Sequence, residues 1–180
     1  MCQSLSALVT IAKHPKVLCL DLKSHDKTIA ALGIKEETYR EFEWTRDDNG
    51  ESLDVRCLPQ EDRNNFKAAI LAQFPTRRDC LIECLRQMAE SGRNLDYDLR
   101  GCDLKGLTLP TSIGGYLYLR GCDLKGLTLP TSIGGSLDLS GCDLKGLTLP
   151  TSIGGYLDLR GCVIPPAVRK QFKLKWTVYE

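Results

Sequence analysis

Residues 101–115, 121–135 and 141–155 are the same fifteen-mer, GCDLKGLTLPTSIGG. Three five-residue stretches, YLYLR (116–120), SLDLS (136–140) and YLDLR (156–160), complete a period of 20 with no slippage. A degenerate lead-in, NLDYDLR, occupies 94–100, and a degenerate exit, GCVIPP, occupies 161–166. Such a period marks a repeat architecture, in which each unit buries its apolar face only against its neighbours. Twenty residues is too short for a pair of helices. The unit also holds Pro110 and four glycines and has no helical periodicity. It suits one coil of a β-solenoid.

Cut every five residues, one coil reads LYLRG, CDLKG, LTLPT, SIGGY. The first three place an apolar or small residue two before a central Leu: Leu117/Leu119, Cys122/Leu124, Leu127/Leu129. This resembles pentapeptide-repeat proteins, whose four five-residue faces close a square β-helix. CDLKG fits that pattern and SIGGY departs from it. A second frame, Leu117-x-Leu119-x-x-Cys122-x-Leu124, resembles the LxLxx(N/C)xL signature of leucine-rich repeats, with Gly114 where that motif begins with Leu. The stretch IGGYLYLRGCDL is also similar to the GGxLxLxG repeats of phage-borne and bacterial solenoid proteins. The resemblance covers 95–164 and implies a fold more than a function.

Both frames give one inside and one outside. Strand alternation points Leu117 and Leu119, and their equivalents 20 and 40 residues on, inward. The column Cys102, Cys122, Cys142, Cys162 points in with Leu104, Leu124 and Leu144, and Ile113, Ile133 and Ile153 fill a further corner. Gly101, Gly106, Gly114 and Gly115 are expected to supply corner torsions. A solenoid has two raw ends that need covering. Pro165-Pro166 stops the coil and opens a short helix with Val168, Phe172, Leu174 and Trp176 as its apolar face, and WTVY reads as a final strand. Residues 1–93 must supply the other cap. Their pattern predicts helix 3–13, strand 16–22, helix 25–33, strands 38–46 and 51–58 joined at Asp47-Asp48-Asn49-Gly50, helix 60–74 and helix 76–91. In the last helix Cys80, Leu81, Cys84, Leu85 and Met88 form an i, i+4 stripe.

Charge excludes little and nominates nothing. Lys and Arg number 24 against 23 Asp and Glu, a net charge of +1. Neither half is a basic arm or an acidic mimic of nucleic acid. No stretch approaches the apolar length of a membrane span, and the apolar start, Leu5 to Ala12, has no basic residue before it, a poor secretory signal. The nine cysteines are odd in number and dominated by the period-20 column, which speaks against an extracellular disulfide scaffold and for reduced, buried thiols. A Cys/His nucleophile pair would need Cys2, Cys19 or Cys57 beside His14 or His25, and zinc would need ligands gathered around Cys80 and Cys84. Nothing local supports either. The Asp103, Asp123, Asp143 column is expected to be neutralised by Lys105, Lys125 and Lys145.

The repeats differ only on the outer face of the LxL strand. Its columns are Tyr116/Ser136/Tyr156, Asp98/Tyr118/Asp138/Asp158 and Arg100/Arg120/Ser140/Arg160. Exposed Tyr and Arg are residue types favoured at interface hot spots. The expected protein is therefore an α+β N-terminal capping unit (1–93), a short right-handed β-solenoid of 20-residue turns (94–164) and a C-terminal helical cap (165–180). It is expected to be non-enzymatic, with no metal or cofactor, and to bind another protein through Tyr116, Tyr118, Arg120, Tyr156 and Arg160. The resemblance to phage-borne and bacterial solenoids implies an inhibitor or effector, acting in the cytoplasm of its own cell or of a host. Two alternatives stay open: an enzyme in 1–93 with the solenoid as a targeting arm, and nucleic-acid binding by the Arg and Lys columns, which the interleaved Asp disfavours. No membrane partner is expected, and a homodimer through an uncovered edge stays open.

Overall fold

The computed structural model describes residues 3–10, 17–19, 25–33, 39–47, 50–55, 59–172 and 177–179. The chain divides into two compact units, Met1–Gly92 and Arg93–Glu180.

In the first unit, β1 (Gln3–Thr10), β2 (Val17–Leu18), β3 (Tyr39–Asp47) and β4 (Gly50–Val55) form one antiparallel sheet in the order β2-β1-β3-β4. The predicted helix 3–13 is thus a strand over the described part of that range. Leu5 and Ala7 are both buried, so its apolar period is two. Leu5, Leu8 and Val9 also fit a helical stripe, but eight register pairs with β3, from Gln3↔Arg46 to Thr10↔Tyr39, decide for the strand. Phe42 and Trp44 of β3 are buried on one face, and Asp47 pairs with Gly50 to close the hairpin. Positions 48 and 49, in the predicted turn, lie outside the described residues, as do 16, 20–22, 38 and 56–58 of the predicted strands.

Three helices pack on this sheet: α1 (His25–Leu32) on β1, α2 (Gln60–Gln73) on β4, and α3 (Arg77–Glu90) on β2 and β1. Thr76 starts α3 with a capping box: its hydroxyl accepts from the Asp79 N–H (3.2 Å), and the Asp79 carboxylate accepts from the Thr76 N–H (3.0 Å). The stripe Cys80, Leu81, Cys84, Leu85, Met88 is buried.

The second unit holds a β-solenoid of about four turns over 97–179. One ladder is built from β5 (Tyr97–Asp98), β7 (Leu117–Tyr118), β9 (Leu137–Asp138) and β11 (Tyr156–Asp158). The other is built from β6 (Ser112–Ile113), β8 (Ser132–Ile133) and β10 (Ser152–Ile153). Every pairing between coils is parallel and offset by one period, as in Leu117↔Leu137 and Ile113↔Ile133. After helix α4 (Pro166–Phe172) the chain returns as β12 (Thr177–Tyr179), a fifth parallel strand beside β11. On α4 Val168 is buried and Gln171 Oε1 accepts from the Leu149 N–H at 2.9 Å. Phe172, Leu174 and Trp176, the rest of the predicted apolar face, have side chains outside those described.

Each coil turns its apolar residues inward two to a five-residue face. In the second coil these are Leu117 and Leu119, Cys122 and Leu124, and Leu127 and Leu129, all at most 8% exposed. Tyr97 takes the place of Leu117 in the first coil and is also buried. The fourth face carries one inward side chain, Ile133, because Gly134 and Gly135 lie directly on the coil before. A Cβ on Gly134 would sit 2.2 Å from the Gly114 carbonyl oxygen, and one on Gly154 2.0 Å from that of Gly134. The expectation that Gly114 and Gly115 serve corner torsions is corrected here, since their column has no positive φ and is set by close approach of backbones. The corner torsions belong to the other two columns. Gly121 has φ 66° in a turn closed by the Cys122 N–H on the Leu119 carbonyl (3.0 Å), and Gly126 repeats it at φ 77°. Glycine at the third position of such a turn is the type II signature.

Candidate functional site

The face on which the repeats differ is the outer surface of the five-stranded ladder, in the order β12-β11-β9-β7-β5. Parallel register stacks its rows about 4.8 Å apart. Of the predicted contact residues, Tyr116 and Tyr156 are each 40% exposed, Arg120 and Arg160 are exposed, and Tyr118 is half-buried.

One local device recurs along this face. Asp98, Asp138 and Asp158 each accept through Oδ1 from the backbone N–H two residues on, at Arg100 (3.2 Å), Ser140 (2.9 Å) and Arg160 (3.1 Å). An Asp side chain that bonds its own backbone two residues ahead forms an Asx turn, here leading into the corner glycine. Asp103, Asp123 and Asp143 do the same for Lys105, Lys125 and Lys145, at 3.0, 3.0 and 2.9 Å. These carboxylates thus also hold the backbone N–H of the lysines expected to neutralise them.

The Asx turn also sets the ion pairs. Asp98 Oδ2 takes Arg100 Nη2 at 2.5 Å, and Asp158 Oδ2 takes Arg160 Nη2 at 2.6 Å. The Arg160 hydrogen bond holds the Asp158 carboxyl below its ordinary range despite burial, and the Arg120 charge adds to the effect. In the second coil the position two before the arginine is Tyr118. Arg120 has no such partner, and Tyr118 stacks instead. Its ring lies parallel to Tyr116 (5.8 Å between centroids, 6° between planes), with the Arg100 guanidinium 5.5 Å over it. Burial pushes the Tyr118 phenol up. Tyr156 meets Tyr179 of β12 edge-on, with centroids 5.3 Å apart.

The structure thus joins Tyr116 to Tyr118 and Arg100, and Tyr156 to Tyr179, while Arg160 is engaged by Asp158 rather than projecting alone. Sequence reasoning missed Tyr179 as a member of the face, and it placed Arg100 in the face's Arg column without counting it among the contact residues. The signal for Arg100 was its place in the Arg column. The signal for Tyr179 was WTVY read as a strand, which falls in register as Asp158↔Tyr179.

The thiol column lies elsewhere on the coil. Cys122, Cys142 and Cys162 donate to the carbonyls of Leu99 (3.3 Å), Leu119 (3.1 Å) and Leu139 (3.0 Å), each in the coil before. Burial pushes the Cys142 thiol up to about 11 and raises Cys122 and Cys162 in the same direction. Cys162 is only half-buried, a correction to the fully shielded column, because no complete coil follows it. In the first unit Cys19, Cys80 and Cys84 are fully buried, and burial lifts Cys84 well above its usual range. Cys2, Cys57 and His14 lie outside the described residues. Among the described residues no disulfide forms, no group of His, Cys, Asp and Glu is arranged to hold a metal, and no helix is long and apolar enough to cross a membrane.

The fold defines a short β-solenoid repeat protein. No protein-family model, curated protein or solved structure matches the chain.

Proposed function

We propose that this protein is a non-enzymatic binding module that presents the outer face of the five-stranded ladder to another protein. The observation that carries the reading is the ring pair Tyr116–Tyr118, beside arginines on a rigid parallel ladder and in the one column set where the repeats are not identical. Tyrosine offers large contact area at small entropic cost, and it concentrates at hot spots with arginine.

Finer points belong to the same proposal. The coil is of pentapeptide type, supported by two inward residues on three of its faces and by the type II corners at Gly121 and Gly126. It winds right-handed, as connections between parallel strands do. Helix α4 and β12 close one end of the coil. The protein acts in the cytoplasm of its own cell or of a host, as an inhibitor or effector of phage or bacterial origin.

The test is capture from bacterial lysate by the full chain, followed by titration of what is captured against Tyr116→Ala and Tyr156→Ala. As anchors, these residues should each cost about 2 kcal/mol of binding, roughly a 30-fold loss. Substitutions at Asp123 or Lys125, on another face, should leave binding intact. Full affinity in both tyrosine variants, with normal thermal melts, would remove the face from consideration.

A further inference from the structure

Three arginines stand in one column of the ladder face: Arg100, Arg120 and Arg160. Arg100 is held by Asp98 and by the Tyr118 ring, and Arg160 is held by Asp158. Each carboxylate ends its strand two residues before its guanidinium, which lies in the turn that follows. Arg120 has Tyr118 in that position, and among the described residues no carboxylate lies within ion-pair distance of it. Its side chain is exposed. The neighbouring carboxylate in the next row, Asp138, directs Oδ1 to the Ser140 N–H and hydroxyl, at 2.9 and 2.6 Å. Among the described residues the Arg120 fork of donors therefore has no carboxylate acceptor, in the coil that carries the stacked pair Tyr116–Tyr118. A guanidinium so placed matches a carboxylate in two-point geometry.

We propose that Arg120 is the point at which this face recognises a carboxylate of its protein partner, an Asp or Glu in an extended segment lying along β7. The inference rests on the binding-face reading above and names the chemistry of the partner. An extended chain places its i and i+2 side chains about 6.8 Å apart, a step that spans from Arg120, in the turn that follows β7, to Tyr118 at the end of β7. An apolar or aromatic side chain two residues from the acid then falls on the Tyr116–Tyr118 pair. A polyanion fits worse. The face carries Asp96, Asp98, Asp138 and Asp158 against three arginines, so a row of phosphates would meet carboxylates at most positions.

The experiment is selection from a random-peptide display library on the full-length protein, run in parallel on Arg120→Gln and Arg120→Glu. Among the described residues Arg120 makes no ion pair, so Arg120→Gln should melt close to the native chain, and Arg120→Glu slightly below it, because the Arg120 charge favours the Asp158 carboxylate. Peptides selected by the native protein should carry Asp or Glu at a fixed step from an apolar or aromatic residue. They should bind Arg120→Gln about 10- to 100-fold more weakly, the range for loss of a charge-assisted pair. Arg120→Glu should select Lys or Arg at the same step. Peptides without an acidic preference that nonetheless lose binding in Tyr116→Ala and Tyr156→Ala overturn the role of Arg120 and leave the face reading standing. Peptides indifferent to the tyrosines, or a library that yields none on the native chain, overturn both. Retention of a DNA oligonucleotide that depends on Arg120 and weakens steeply with salt also overturns the carboxylate assignment.

Discussion

At Gly134 a methyl group would lie 2.2 Å from a backbone oxygen, whereas at Gly126 it would meet nothing within 4 Å. The two sites therefore need glycine for different reasons, and a pair of substitutions separates them. Gly126→Asn keeps a residue that tolerates the left-handed region, and it should cost about 1 kcal/mol or less. Gly126→Ala should cost about 1–2 kcal/mol from backbone strain alone. At Gly134 the order reverses. Alanine already forces two coils apart, a cost of about 1–3 kcal/mol or more, and asparagine is worse. Thermal melts of the four variants give the ranking, and equal behaviour at both positions would refute the close-approach role. Thiols make a second prediction at this scale. The thiolate is the reactive form, so a raised pKa slows alkylation at neutral pH, and the rate climbs only as pH approaches about 11 for Cys142. Within the column, under native conditions the half-buried Cys162 should label before the others, and Cys122 and Cys142 should label only after unfolding, as read by mass spectrometry of timed aliquots.

The element that matters is the coil. Each coil bonds to the next through parallel ladders on two faces, so stability should be nearly additive in coils. Deleting 121–140 removes one whole period and rejoins identical flanks, with Gly141-Cys142 following Arg120 as Gly121-Cys122 did. That protein should fold with a lower melting temperature. Deleting 121–130 joins Arg120 to Thr131, places the Ile133 face where the Cys122 face belongs and should abolish folding. Circular dichroism and thermal melts distinguish the outcomes, and equal tolerance of both deletions would refute a 20-residue coil.

For the molecule as a whole, legibility followed the range of the interactions. The solenoid was readable because its pattern is local and repeated: Leu119, Cys122 and Leu124 announce their burial three times over. The type II corners were readable from Gly121 and Gly126. The strand β1 was not, because Leu5, Leu8 and Val9 satisfy a helical stripe as well as an alternating one. The arbiter is β3, which lies more than 25 residues away and pairs through Leu5↔Trp44 and Ala7↔Phe42. The members of the candidate face were named from their columns, but the engagement of Arg100 and Arg160 was overlooked. It follows from an Asp two residues earlier, a spacing visible in the sequence whose meaning depends on the Asx turn. The close approach at Gly114 and Gly134 had no local signal, since it is a distance between coils.

Identity between coils has a consequence for how the chain finds its native arrangement. A strand such as Leu137–Asp138 can dock one coil out of place and still bury the same leucines against the same leucines, looping out one period. Such slipped states lose only the contacts of a single coil, so they lie close in energy to the native one, and the landscape within the repeat is nearly degenerate. Uniqueness must come from the rungs that are not copies. Tyr97 fits only the first position, and the β12 strand, which brings Val178 against Leu157, fits only the last. The irregular ends, rather than the regular middle, fix which of several equivalent threadings is the protein.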